Sequence, residues 1–179
     1  KLVTGVQTCA LPIYNPAGRL PVSVPRSVGQ LPVYYNRKLP YSHDYVEESA
    51  EPLYPFGYGL SYSSFDYRNA SFFADARHDK GTVRVDLTNS GSLDGDEVVQ
   101  LYVRDLVAST ARPRKQLCAF RRVRVKAGET VTVELPVPRS AFELVNPDME
   151  RVAEPGEFEL QLGASSQDIR QTLTITYPY

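Results

Sequence analysis

A mainly β fold is predicted: an antiparallel β-sandwich preceded by an extended arm. Three observations predict it. From about Asn69 onward apolar and polar residues alternate with period two, as in strands with one face in a core. Turn-forming residues interrupt that alternation at short intervals. Before residue 68, Pro16, Pro21, Pro25, Pro32, Pro40, Pro52 and Pro55 break every window long enough for a helix.

Val83, Val85 and Leu87 alternate with polar neighbours. So do Val99, Leu101 and Val103, then Val123 and Val125, then Val131, Val133 and Leu135. Phe158, Leu160 and Leu162 follow, then Leu173 and Ile175. Asn89-Ser90-Gly91, Asp94-Gly95, Ala127-Gly128, Asn146-Pro147-Asp148 and Pro155-Gly156 mark the turns between them. One helical turn is expected, over Ser140 to Leu144. The length from 69 to 179 suits one seven-strand, immunoglobulin-like or fibronectin-type sandwich with its own core.

Residues 14–68 read differently. They hold nine of the twelve Tyr and seven of the fourteen Pro. Such spacing favours extended, polyproline-like chain with short strands. The segment is too aromatic for a solvated linker, because Tyr34, Tyr35, Tyr41, Tyr45, Tyr54, Tyr58 and Tyr62 need surfaces to pack on. The arm is therefore expected to lie against a body largely missing from this chain. Its amides are expected to exchange fast, and its Tyr and Phe surface to stand uncovered.

Composition excludes several classes. Twenty Lys plus Arg against 21 Asp plus Glu give a net charge of -1, so no global field draws in nucleic acid. No apolar run approaches the roughly 20 residues of a membrane-spanning helix, and no membrane or nucleic-acid partner is expected. Two Cys are too few for a disulfide scaffold. Cys118, in the apolar run Leu117-Cys118-Ala119-Phe120, reads as a buried free thiol. One Met, and Lys rather than Met at position 1, suit a piece of a longer chain. Residues 1–13, containing Val3-Thr4-Gly5-Val6-Gln7-Thr8-Cys9-Ala10-Leu11-Pro12-Ile13, resemble an in-frame translation of a sequencing-library adapter. They are expected to be an artefact and are set aside from the fold.

Three blocks carry a family resemblance. The first runs Asn15-Pro16-Ala17-Gly18-Arg19-Leu20-Pro21 through Val33-Tyr34-Tyr35-Asn36. The second is Pro52-Leu53-Tyr54-Pro55-Phe56-Gly57-Tyr58-Gly59-Leu60-Ser61-Tyr62. The third runs from Gly95-Asp96-Glu97-Val98-Val99-Gln100-Leu101-Tyr102-Val103 through Arg112-Pro113-Arg114-Lys115-Gln116-Leu117 to Glu154-Pro155-Gly156-Glu157-Phe158. Together, over residues 14–179, they resemble the C-terminal end of a glycoside hydrolase family 3 enzyme of the bacterial β-glucosidase type. The resemblance implies a fibronectin type III-like sandwich over 69–179. Residues 14–68 would be the end of a truncated α/β sandwich domain plus the arm, with that domain's final strand near Leu20 to Val24. It implies retaining hydrolysis by two carboxyl groups about 5–5.5 Å apart. Both, a nucleophilic Asp and an acid/base Glu, would lie upstream. The implied partners are those upstream catalytic domains and, in the intact enzyme only, an oligosaccharide. The family is commonly periplasmic or secreted.

No catalytic residue and no cofactor are expected within the chain. Asp44, Glu47, Glu48 and Glu51 form an acidic cluster, but catalytic tuning needs burial and the loop offers no enclosing core. His43, Asp44 and Tyr45 are the candidate substrate-binding residues: hydrogen-bonding groups beside an apolar ring face, at the active-site rim of the intact enzyme. The competing reading is an ordinary surface loop. A metal site is not expected, since the two His lie 35 positions apart with no Cys at ligand spacing. Phe56-Gly57-Tyr58-Gly59 lacks the Lys-Ser/Thr of a phosphate loop and reads as packing. Arg112, Arg114, Lys115, Arg121, Arg122, Arg124 and Lys126 form a basic stretch, read as a half-solvated strand rather than an RNA surface. Asn69-Ala70-Ser71 fits the N-glycosylation pattern, and Asp94, Asp96 and Glu97 read as a turn rather than a calcium loop. A stand-alone carbohydrate- or protein-binding sandwich and a structural spacer are the alternatives.

Overall fold

The computed structural model describes residues 14–38, 49–75 and 80–178. Its strands are β1 (Phe65–Ala74), β2 (Lys80–Asn89), β3 (Gly95–Asp105), β4 (Gln116–Val125), β5 (Thr130–Pro138), β6 (Glu143–Val145), β7 (Arg151–Ala153), β8 (Gly156–Gly163) and β9 (Ile169–Tyr177). Seven of them form two antiparallel sheets, in the orders β1-β2-β5 and β4-β3-β8-β9; β6 and β7 form a small hairpin. This is the expected sandwich.

The alternation decides which face is sealed. Val83, Val85 and Leu87 of β2 and Val133, Leu135 and Val137 of β5 are fully buried, facing Val99, Leu101, Leu160 and Leu162 of the other sheet. Val85 pairs with Val133, and Leu101 with Leu162. On the outer side of β2 and β5, Arg84 meets Glu134 at 2.7 Å and Thr88 meets Thr130. Pro136 and Pro138 are tolerated because β5 pairs on one side only. Asn89, fully buried, ties the β2–β3 turn by donating to the carbonyls of Leu93 and Val125 while accepting from the Gly91 amide.

Three local expectations change. β1 begins at Phe65, ahead of the residue where alternation becomes readable. A bulge between Arg68 and Ser71, with Asn69 at φ 53°, breaks its period. The helical turn is a three-residue 3-10 helix, Arg139–Ala141, and Glu143 to Val145 are strand. Phe142 stops the turn by plunging into the core, 5.0 Å from the Phe158 ring and 5.1 Å from that of Tyr177. A final strand over Leu20 to Val24 reduces to one bridge, Val24 with Tyr54. Pro21 and Pro25 have no N–H to extend it.

The arm is not without a partner. Its two described stretches pair with each other, Leu20 and Gly57 exchanging bonds with the carbonyls of Tyr58 and Leu20 at 2.8 Å. Together they lie on the outer face of the four-stranded sheet. Gln100 and Tyr102 of β3 alternate with core residues and so point outward, yet both are buried. Outward-facing aromatic and amide groups on β3 thus give one side of the arm a body within this chain, more than the expected largely missing one.

Candidate functional site

The arm–sandwich junction is built where the three sequence blocks meet. From β3, the Tyr102 hydroxyl donates to Gln100 Oε1 at 2.5 Å. The Gln100 amide donates onward to the carbonyls of Gly57 and Ala164, at 3.1 and 2.6 Å. Burial pushes the Tyr102 phenol well above its ordinary range. Tyr35 stacks on Phe56 with centroids 4.2 Å apart and meets the edge of Tyr102 at 6.0 Å. Its hydroxyl accepts from the Leu117 amide. Gly57 is required twice over. Its φ is +81°, and a Cβ there would stand 2.1 Å from Gln100 Oε1. The Phe56-Gly57-Tyr58-Gly59 motif is thus a packing corner.

A second tie closes the end of the sandwich. Glu97 is buried, and Arg19 from the arm donates Nη2 to both its oxygens at 2.9 Å. The Tyr67 hydroxyl of β1 adds a third bond at 3.1 Å. Burial, with Glu97 close by, holds the Tyr67 phenol far above its usual range. Beside this tie, Asn15 binds Ser61 and the Tyr62 amide.

Two surfaces result. One is a cavity of about 300 Å³ between arm and sandwich, lined in part by Tyr34, Tyr35, Arg37, Glu51, Arg114 and Lys115. The other is an open apolar concavity of about 770 Å³ on the far side of the arm, lined by Pro16, Leu20, Val24, Tyr54, Tyr58, Leu60 and Tyr62 among others. Leu60 is 70% exposed there and Tyr62 53%.

The candidate rim residues His43, Asp44 and Tyr45 lie outside the described residues, as do Glu47 and Glu48. Glu51 is described: Arg37 pairs with it at 3.2 Å and the Gln167 amide donates to it, so it is a structural tie. Three of the seven cations in the basic stretch are matched by acids, Arg112 by Asp105, Arg122 by Asp96 and Arg124 by Asp94. Asp94 also accepts from the Ala127 amide, which fixes the turn. No group of three metal-ligating side chains exists among the described residues. Asn69 sits on the β1 bulge with its amide donated to Asp86. Cys118 is a free, half-buried thiol whose pKa burial pushes up to about 12. Among the described residues the exposed aromatic rings on the sandwich are Phe73 and Phe120, on different sheets, so they form no row. Sequence reasoning missed the Gln100–Tyr102 pair and the Arg19–Glu97 tie. The only signal was placement of polar groups within the quoted blocks.

Fold and junction together define a class: a fibronectin type III-like sandwich that carries the end of a second domain on one sheet. Residues 97–166 match the fibronectin type III-like domain, and residues 11–62 the glycosyl hydrolase family 3 C-terminal domain. The chain belongs to glycoside hydrolase family 3, to the C-terminal region of its β-glucosidase-type members. It is 42% identical over 171 residues to a periplasmic beta-glucosidase of Salmonella typhimurium, covering 88% of this chain and 22% of that protein. A beta-xylosidase of Formosa agariphila is 41% identical over 90% of this chain and 23% of its own length. A solved beta-glucosidase involved in saponin metabolism, from intestinal bacteria, superposes with a TM-score of 0.84 at 40% identity, over 90% of this chain and 22% of that one. The chain therefore spans about a fifth of the length of the relatives it matches. No helix among the described residues is long and apolar enough to cross a membrane.

Proposed function

We propose that this chain serves as the C-terminal portion of a retaining β-glucosidase-type hydrolase of terminal β-linked sugars, contributing docking and stability rather than catalysis. One observation carries the reading. The arm is anchored to the sandwich by buried polar ties, while its other side presents Leu20, Tyr54, Tyr58, Leu60 and Tyr62 as an apolar concavity. Contiguous apolar surface of this kind marks an interaction face. Its occupant is the rest of the α/β domain to which the arm belongs, with the catalytic carboxyl groups carried upstream. Sequence similarity to beta-glucosidases and beta-xylosidases of about four times this length supports the parent activity. The similarity to a periplasmic relative supports an extracytoplasmic parent.

The domain division belongs to the same proposal. Residues 1–13 are adapter-derived, although the family match reaches back to residue 11. Residues 14–68 are assigned to the end of the α/β domain with its arm and 69–179 to the sandwich, whose first strand β1 reaches back to Phe65. His43, Asp44 and Tyr45 rim the active site of the intact enzyme.

The test is turnover of a chromogenic β-glucoside by the pure chain, alone and after fusion to the upstream domains of a relative. No turnover alone and measurable turnover in the fusion are expected. Hydrolysis by the chain alone refutes the reading.

A further inference from the structure

The cavity between arm and sandwich has a charge balance that its described residues leave incomplete. Four ionic side chains among them line it: Arg37, Glu51, Arg114 and Lys115. Glu51 is already engaged by Arg37 at 3.2 Å and by the Gln167 amide. Among the described residues Lys115 donates its ammonium to a neutral group, the Ser166 carbonyl, at 2.9 Å. Arg114 is exposed, and its guanidinium has no carboxylate within pairing distance among the described residues. Among the described residues, neither of these two cations is paired with a carboxylate across this space. Burial, and the positive charges of Arg114 and Arg104, press the Lys115 ammonium toward losing its proton. An arriving anion relieves that pressure.

The lining also has a ring and neutral hydrogen-bonding groups. Tyr34 and Tyr35 border the cavity, with Ser23, Ser166 and Gln167 alongside. Tyr35 is locked by Phe56 and by the Leu117 amide. Tyr34 is 63% exposed, so its ring is open to a partner. An aromatic face takes the C–H side of a pyranose ring. A guanidinium fork takes a carboxylate bidentately. At about 300 Å³ the cavity is at the small end of ligand pockets and suits a single sugar unit rather than a long chain.

We propose that this cavity binds a uronosyl unit, a pyranose bearing a carboxylate, with Arg114 and Lys115 on the carboxylate and Tyr34 against the ring. The proposal rests on the glycoside hydrolase reading for its choice of a sugar, and it adds acidic saccharides as the class recognised at this position. The anion itself is recognised by chemistry shared with any simple carboxylate, so the controls must separate the two sources.

The experiment titrates the isotopically labelled chain with glucuronate, glucose and acetate, and follows backbone amides by NMR. Glucuronate is expected to shift the amides of Lys115, Ser166 and Gln167, with affinity at least about tenfold above glucose and acetate, and to weaken as salt rises. Arg114→Ala is expected to lower that affinity about tenfold, and Tyr34→Ala about fivefold, magnitudes set by one charged hydrogen-bonded pair and one ring contact. The Arg114 amide bond to the Arg37 carbonyl is backbone and survives the first substitution; Arg114→Gln repeats the test with more of the side chain retained. Equal binding of glucose refutes the role of the carboxylate. Equal binding of acetate marks an adventitious anion only and refutes the sugar. Shifts away from the cavity, or unchanged affinity in both Arg114 variants, overturn the site. Because no turnover is measured, failure here is distinct from failure of the hydrolase reading.

Discussion

The two halves of the sandwich–arm junction are held by opposite means. Inside the sandwich, Val, Leu and Phe from seven strands close on one another, and strand register alone determines which side chains meet. The arm is held by a handful of groups: one glutamine and one stacked tyrosine on the outer face of the same sheet, and one buried ion pair at the end of the sandwich. The first kind of contact is distributed and tolerant. The second is concentrated, so each group counts. This difference lets one sheet be a core on one side and an attachment surface on the other.

The largest expected effect tests the distributed side. Phe158 is 1% exposed and lies between Phe142 and Tyr177. Phe158→Ala is expected to cost about 4 kcal/mol, the transfer loss of a ring plus its cavity. Equilibrium urea unfolding measures it. A loss under 2 kcal/mol would mean that the core is looser than its burial implies.

Next comes the concentrated side. Arg19→Ala leaves Glu97 buried, with only the Tyr67 hydroxyl as partner. About 3 kcal/mol of destabilisation is expected, because an unpaired buried charge is costly. Replacing both partners, Arg19→Met with Glu97→Leu, is expected to recover most of that loss. If the double variant is as unstable as the single one, the tie contributes through shape rather than charge.

Legibility in the sequence follows the same division. Every strand with at least two alternating apolar residues was readable, from Val83 to Ile175, because period two is imposed by the pleat. β1 was not, since the Asn69 bulge shifts its phase and Phe72 and Phe73 fall on adjacent positions. β6 and β7 are three residues each, too short for a period. The arm's extended character was readable from its prolines. Its docking on β3 was not, because Gln100 and Tyr102 look like the polar members of a solvated strand until something covers them. The candidate site had no local signal either. Arg37, Glu51, Arg114 and Gln167 come together from separate segments, and of the four only Arg114 lies in one of the blocks that carry the resemblance.

A smaller effect sharpens the contrast through pH. The Cys118 pKa is pushed up to about 12 by burial, against an ordinary thiol near 8.5. The folded chain therefore keeps its proton where the unfolded chain has lost it. Stability from this group is complete below about pH 8.5 and falls as pH rises toward 12. Tyr67 and Tyr102, both raised, act in the same direction at higher pH. Thermal midpoints measured between pH 7 and 10.5 are expected to fall, and Cys118→Ala to flatten the lower part of that slope. A slope unchanged by the substitution would assign the whole effect to the tyrosines.

The smallest expected change in the isolated chain is also the most informative about docking. Leu60 stands 70% exposed on the apolar concavity. Leu60→Ser is expected to alter urea stability of the chain by no more than about 0.5 kcal/mol, as surface changes usually do. In a fusion to upstream family 3 domains the same change is expected to lower the thermal midpoint by several degrees, since about 1–2 kcal/mol of apolar burial is lost. The comparison is internal, because one substitution is read in two contexts. Equal behaviour in both would mean that the concavity stays open in the longer protein, and the docking face would have to be sought elsewhere on the arm.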